Sequence, residues 1–191
     1  MKIGVLALQG DFEEHLRALE KCGVGRTAVR LPQELDEVAG LILPGGESTT
    51  IGKLMDRYGL SEKIRQRHAQ GMPIYGTCAG LILLAKDIVA SQQTRLGLMN
   101  VTVERNAYGR QVDSFEADVV APRLGDVPLR AVFIRAPLVR QVASSVEVLA
   151  SHDNVPILIQ EGNLLASSFH PELTDDLRVH RYFLEMAERS Q

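Results

Sequence analysis

The stretch Pro73-Ile74-Tyr75-Gly76-Thr77-Cys78-Ala79-Gly80-Leu81-Ile82-Leu83-Leu84 constrains this chain more than any other. A short apolar run leads into a Gly-x-Cys-x-Gly turn, and a second apolar run suited to a helix leaves it. The glycines are what a sharp strand-to-helix turn needs, because side chains beside the turn residue have no room. The pattern has the form of a nucleophile elbow with sulfur in place of the usual serine oxygen. It sets Cys78 at a helix N-terminus, where unpaired N–H groups and the helix dipole favour a thiolate.

Around this turn the first half of the chain alternates strand-like and helix-like segments. Ile3–Leu8, Ala28–Leu31 and Gly40–Leu43 read as strands, with a further strand entering the elbow. Phe12–Lys21 and Ile51–Gln70 carry helix-forming residues, and Asp11 with Glu14 three positions on resembles a capping box. Strands apolar on both faces and separated by helices indicate a parallel sheet covered on both sides. The second half changes character. Val101–Arg105, Phe115–Ala121, Ala131–Ile134, Val146–Ser151, Pro156–Gln160 and Leu164–Phe169 read as strands joined by turns, with Glu161-Gly162-Asn163 as a hairpin connection. Leu177–Arg189 reads as a closing amphipathic helix. The expected fold is α/β, with a mainly parallel sheet flanked by helices and additional antiparallel strands in the C-terminal half. No repeat or linker divides residues 1–191, so one domain is expected.

Composition narrows the function classes. With 21 basic and 24 acidic residues the net charge is -3, which argues for neither nucleic acid nor an anionic membrane as partner. The apolar start at Ile3–Leu8 is too short for a signal peptide and ends in Gln9-Gly10-Asp11, so it reads as a buried strand. No apolar run approaches the roughly 20 residues that span a bilayer. The two cysteines, Cys22 and Cys78, make no disulfide framework, and a reducing, cytoplasmic setting is expected.

Phe169-His170-Pro171-Glu172 supplies what a cysteine nucleophile needs, a base and a carboxylate to orient it. His170 ends an apolar strand-like run, and Glu172 two residues on points the same way if the backbone stays extended. Cys78, His170 and Glu172 are therefore expected to form a triad for acyl transfer. His15, His68 and His180 lie in helical stretches among charged neighbours and read as solvated; His152 sits in a turn-like cluster. Cys22, before Gly23 at a helix end, reads as a small apolar residue. A developing oxyanion would be met by the N–H of Ala79 and by a second donor from the loop Pro44-Gly45-Gly46-Glu47-Ser48-Thr49-Thr50. No Gly-Lys-Ser/Thr follows that loop, so it is no P-loop. The histidines lack metal-ligand spacing, and neither a metal nor another cofactor is expected.

These motifs, with Gly4-Val5-Leu6-Ala7-Leu8-Gln9-Gly10, Arg105-Asn106-Ala107-Tyr108-Gly109-Arg110-Gln111 and Phe133-Ile134-Arg135-Ala136-Pro137, resemble the class I (triad) glutamine amidotransferases. The Cys and His motifs are similar to the whole superfamily. Gly-Glu-Ser-Thr-Thr, Arg-Asn-Ala-Tyr-Gly-Arg-Gln and Phe-Ile-Arg-Ala-Pro resemble its branch of glutaminase subunits of pyridoxal 5′-phosphate synthases. The resemblance implies a flavodoxin-like domain, with Cys78 as nucleophile and His170 and Glu172 completing the triad. It implies glutamine contacts from Gly46, Glu47, Ser48, Arg105, Ile134 and Arg135, with the N–H groups of Gly46 and Ala79 as the oxyanion hole. Charge-assisted bonds from the two arginines suit the α-carboxylate of glutamine; Glu47 or backbone carbonyls are left as alternatives for its ammonium group. Arg110 and Gln111 are assigned to a partner interface or the local scaffold. The implied partner is a (β/α)₈-barrel synthase subunit in a large hetero-oligomer, which consumes the ammonia for vitamin B6 synthesis. Two rivals stand beside this reading: a glutaminase subunit serving another acceptor, such as a histidine-pathway cyclase, and a non-enzymatic module on the same scaffold.

Overall fold

A computed structural model describes residues 1–105 and 114–190. The first half runs β1 (Lys2–Leu6), α1 (Phe12–Lys21), β2 (Gly25–Val29), β3 (Gly40–Leu43), α2 (Ser48–Arg57), α3 (Leu60–Ala69), β4 (Ile74–Thr77) and α4 (Ala79–Leu84). The second half runs β5 (Ala85–Ile88), β6 (Met99–Glu104), β7 (Ser114–Val119), β8 (Leu129–Ile134), β9 (Leu138–Val142), β10 (Glu147–His152), β11 (Val155–Glu161), β12 (Leu164–Ser167) and α5 (Arg178–Arg189). Seven strands form the central sheet in the order β10-β11-β12-β4-β3-β1-β2. The five from β12 to β2 are parallel, while β10 and β11 extend the sheet antiparallel. A parallel core with an antiparallel margin matches the expected flavodoxin-like α/β architecture.

Alternation along the strands divides the core into two layers. Leu41, Leu43, Ile74, Leu164 and Ala166 face one side, where α2, α3, α4 and the small β5-β6-β9 sheet cover them. Ile3, Val5, Ile42, Tyr75 and Leu165 face the other, under α1, α5 and the β7-β8 hairpin. Among the described residues no helix is long and apolar enough to cross a membrane.

Several expectations need correction. The helix expected over Ile51–Gln70 is two helices, α2 and α3, because Gly59 adopts a left-handed φ of 72° that no continuous helix allows. The second strand lies earlier than Ala28–Leu31, since pairing Lys2 with Gly25 sets its register on β1. β5 and β9 have no counterpart among the expected strands. Asp11 makes no side-chain cap on α1; its carboxylate turns instead toward His170, with Oδ2 3.8 Å from Nδ1. The hairpin at Gly162-Asn163 joins β11 and β12 as expected, with Glu161 opposite Leu164.

A parallel sheet gathers the ends of its strands at one edge. Gln9 to Asp11 follow β1, Gly45 to Glu47 follow β3, Cys78 follows β4 and His170 follows β12. Strand order reverses between β1 and β3, and crevices at the carboxyl ends beside such a switch are where open α/β sheets bind ligands.

Candidate active site

Cys78 sits between β4 and α4 at φ 49° and ψ -98°, outside the regions open to most L-residues. Backbone in such regions costs on the order of 1–3 kcal/mol and persists only when its surroundings hold it. Here they do: Cys78 N–H donates to Ser167 O at 2.8 Å, and Ile82 N–H donates to Cys78 O at 3.2 Å. α4 has six residues, so its dipole is a modest source of positive charge. The stronger source is His170.

The His170 backbone N–H donates to Val132 O at 2.8 Å, pinning the residue to β8. Its Nδ1 lies 2.7 Å from Glu172 Oε1, and its imidazole and the Cys78 sulfur line the same cavity, near enough to interact. Burial alone would lower the pKa of His170. Its interactions with Cys78 and Glu172 outweigh burial and push it up to about 10. Burial raises the Glu172 pKa, while the hydrogen bond from His170 and its charge pull the other way. An imidazolium is thus held between a sulfur and a carboxylate, the pairing a cysteine nucleophile requires.

These groups open onto a cavity of ≈ 410 Å³ that Cys78, His170, Gly46, Glu47, Ser48, Arg105, Ile134 and Arg135 all line. Every expected substrate contact is therefore brought to one space; Ala79 and Glu172 stand behind it, both buried. Cys78 Sγ is 3.9 Å from Ile134 O. Arg135 follows at a positive φ of 43°, which bends the chain over the mouth at the end of β8. Glu47 caps α2, accepting from Thr49 N at 3.3 Å and Thr50 N at 2.8 Å, and Arg105 Nη2 donates to it at 3.2 Å. Partial burial opposes ionisation, but hydrogen bonds from Thr49 and Thr50 prevail and hold its carboxyl at about 2. Its carboxylate is therefore engaged in shaping the loop, which favours backbone carbonyls over Glu47 as acceptors for an ammonium group. Residues 106–111, where the Asn-Ala-Tyr-Gly-Arg-Gln motif falls, lie outside the described residues.

Gln93 and Asp11 join the site without having been expected there from sequence. Gln93 Oε1 accepts from Arg105 Nη1 at 2.6 Å, while its Nε2 donates to Ser48 Oγ at 3.1 Å, tying two cavity residues together. Gln9 Oε1 accepts from Glu47 N at 2.8 Å, and Asp11 N donates to Gly45 O at 3.0 Å, so the loops after β1 and β3 are locked to each other. The contact is close: a Cβ on Gly10 would lie 1.9 Å from Gly45 O. Asp11, His170 and Glu172 form the one group of metal-ligand type among the described residues, with ligand atoms within 4.8 Å.

The expectation that His15 and His180 are solvated is overturned. Both have 0% exposure, and His68 is half-buried. Burial pulls the His180 pKa down to about 4 and, with the nearby charges of His180 and His170, takes His15 well below 6.5. A histidine neutral when folded and protonated when unfolded costs stability as pH falls, because the unfolded state binds more protons. For His180 that loss spans 6.5 to about 4 and amounts to about 3 kcal/mol. Thermal unfolding at pH 7 and pH 5 should therefore show a larger drop in Tm for the wild type than for His180→Gln; equal drops would contradict a buried neutral His180.

The sequence model of the SNO glutamine amidotransferase family matches residues 5–189. The "Pyridoxal 5'-phosphate synthase subunit PdxT" of Thermotoga petrophila is 56% identical over 188 residues, covering 98% of this chain and 100% of that protein. The protein of the same name from Moorella thermoacetica is 55% identical over 186 residues, covering 97% and 99%. A solved structure described as "Crystal structure of glutamine amidotransferase" superposes with a TM-score of 0.94 at 53% identity, covering 97% of this chain and 98% of that one.

Proposed function

The chain belongs to the SNO glutamine amidotransferase family, and from that premise we propose that it hydrolyses L-glutamine and hands the ammonia to a pyridoxal 5′-phosphate synthase subunit for vitamin B6 synthesis. The observation that carries this reading is that Cys78 and His170 line one cavity while Glu172, behind it, hydrogen-bonds His170 Nδ1 at 2.7 Å.

In the proposed mechanism the Cys78 thiolate attacks the side-chain amide carbon of glutamine. The negative charge moves to the amide oxygen, where the N–H groups of Gly46 and Ala79 receive it; losing one such donor typically costs about 10²–10³ in rate. The C–N bond breaks as His170 gives its proton to the leaving nitrogen, releasing ammonia and a γ-glutamyl thioester on Cys78. His170, now neutral, takes a proton from water, whose oxygen attacks the thioester. Collapse frees glutamate and restores the thiolate–imidazolium pair. Ser48, Arg105, Ile134 and Arg135 hold the amino-acid end of glutamine, and Glu47 shapes the loop that presents Gly46.

The acceptor is a synthase subunit, here proposed to be a (β/α)₈ barrel in a large hetero-oligomer. Residues 1–191 act as one glutaminase domain in the cytoplasm, a setting that suits two free thiols. Docking is proposed to act on Gln9-Gly10 and Gly45-Gly46, because the bonds between these loops join the cavity wall to the chain after β1. The test is glutamate release from glutamine with and without the purified synthase subunit. Release should be low for the full chain alone and rise when the partner is added. No release in either case would overturn the glutaminase reading; full release without the partner would overturn control by docking.

A further inference from the structure

Glu172 faces two imidazoles, not one. His15 Nε2 lies 3.5 Å from Glu172 Oε1, both side chains fully buried, and 3.0 Å from Thr77 Oγ1. On its other side His15 Nδ1 lies 3.0 Å from His180 Nε2. Tyr75 stands edge-on to both rings at 6.2 Å. Its hydroxyl lies 3.0 Å from Ser167 Oγ, which itself donates to Phe169 O at 2.9 Å, so Tyr75 is the donor of that pair. α1, α5 and β4 therefore all place polar groups behind the third member of the triad. None of His15, His180 or Tyr75 lines the cavity.

The proton positions follow from counting donors. One hydrogen lies between His15 Nδ1 and His180 Nε2. If His15 supplied it, the lone pair on His15 Nε2 would face the Glu172 carboxylate. His180 would then carry its own proton on Nδ1, which is buried with no partner among the described residues. If His180 supplies it, His15 keeps its proton on Nε2, aimed at Thr77 Oγ1 and Glu172 Oε1, and only a lone pair on His180 Nδ1 goes unpaired. A stranded buried N–H is the rarer and costlier defect. Burial keeps both rings neutral, so each has one proton to place.

We propose that His15, aligned by His180, is a positioning residue of the triad: its Nε2–H donates to Thr77 Oγ1 and keeps its positive edge 3.5 Å from Glu172 Oε1, which steadies that carboxylate against His170. The effect on rate rests on the glutaminase reading above; the proton arrangement does not. The titratable groups facing His170 and Glu172 are Cys78 from the elbow, Asp11 after β1, His15 from α1, His180 from α5 and Tyr75 from β4.

Three measurements on the full chain test it. Nitrogen-15 NMR of the imidazoles should show His15 neutral and protonated on Nε2; protonation on Nδ1 would overturn the proposal. With the synthase subunit present, His15→Leu should lower kcat about 3- to 10-fold, the worth of one ordinary hydrogen bond, and leave KM unchanged. His15→Gln, which keeps an N–H donor, should recover most of that loss. Equal losses in the two variants, or a folded His15→Leu with wild-type kcat, would reduce His15 to packing. Finally, alkylation of Cys78 by iodoacetamide should shift to higher pH in His15→Leu, because a loosened Glu172 supports the imidazolium less; an unmoved profile counts against the proposal. This last readout needs no glutamine. A wild type that releases no glutamate but shows the alkylation shift would sink the glutaminase reading and leave the positioning role standing.

Discussion

Glutamate release in the presence of the synthase subunit should fall by roughly 10⁴–10⁶-fold when Cys78 becomes alanine, the scale on which removing a nucleophile disables a triad enzyme. The expectation rests on geometry rather than on the presence of a cysteine. The strained backbone at Cys78 is held by Ser167 O and by the first turn of α4, and it presents the sulfur to an imidazole that is itself bonded to Glu172. Alanine tolerates the same backbone and leaves the cavity intact, so folding and glutamine binding should survive while turnover does not. His170 would then be an imidazolium with no thiolate to serve. Turnover by Cys78→Ala within tenfold of wild type would mean that glutamine is opened by some other group, and the proposed mechanism would fall.

A large expected effect on stability lies two residues away, in the buried core. A methyl group on Gly80 would stand 2.2 Å from Leu43 O and 3.0 Å from the Leu43 carbonyl carbon and Cβ. Neither neighbour can give way easily, because Leu43 is fully buried and paired with Gly76 in the middle of the sheet. Gly80→Ala should therefore cost about 3–5 kcal/mol, at the upper end of overpacking effects, and lower Tm by roughly 10 °C. Any folded fraction should also lose glutaminase activity, because the strain would move the elbow. Gly23→Ala is the control: it has positive φ, 75°, but nothing within 4 Å of an added Cβ. It should cost only about 1–2 kcal/mol. Similar unfolding midpoints for the two variants would show that α4 does not pack against β3 as closely as described.

Local chemistry was what the sequence revealed best. Gly-Thr-Cys-Ala-Gly and His-Pro-Glu each state a requirement within a few residues, and the strand ends then bring them together. The buried strands β1, β3, β4 and β12 were legible for a similar reason, since a run apolar on both faces has few other places to go. Errors arose where the deciding partner is distant. β5 and β9 read poorly because their pairing depends on β6, whose register no local pattern announces. Gln93 is a polar loop residue that becomes informative only once Arg105 and Ser48 lie on either side of it. His15 and His180 are different, for a signal existed. His15 shares the buried stripe of α1 with Ala18 and Leu19, and His180 that of α5 with Phe183, Leu184 and Ala187. Spacings of three and four residues placed both on the inward face. Charged neighbours in the sequence misled because, on a helix, adjacent residues point in different directions.

β4 and β12 lie side by side, yet the Tyr75–Ser167 contact that spans them joins residues 92 positions apart. The chain is made from its N-terminus, so the thiol exists long before the proton carrier that arms it. A ribosome must deliver everything between β4 and β12 before the sheet can admit the strand leading to His170. Until then the sulfur has no His170 imidazole beside it. Pairing of sulfur and imidazole thus waits on the insertion of β12 beside β4, a step that follows from chain order alone.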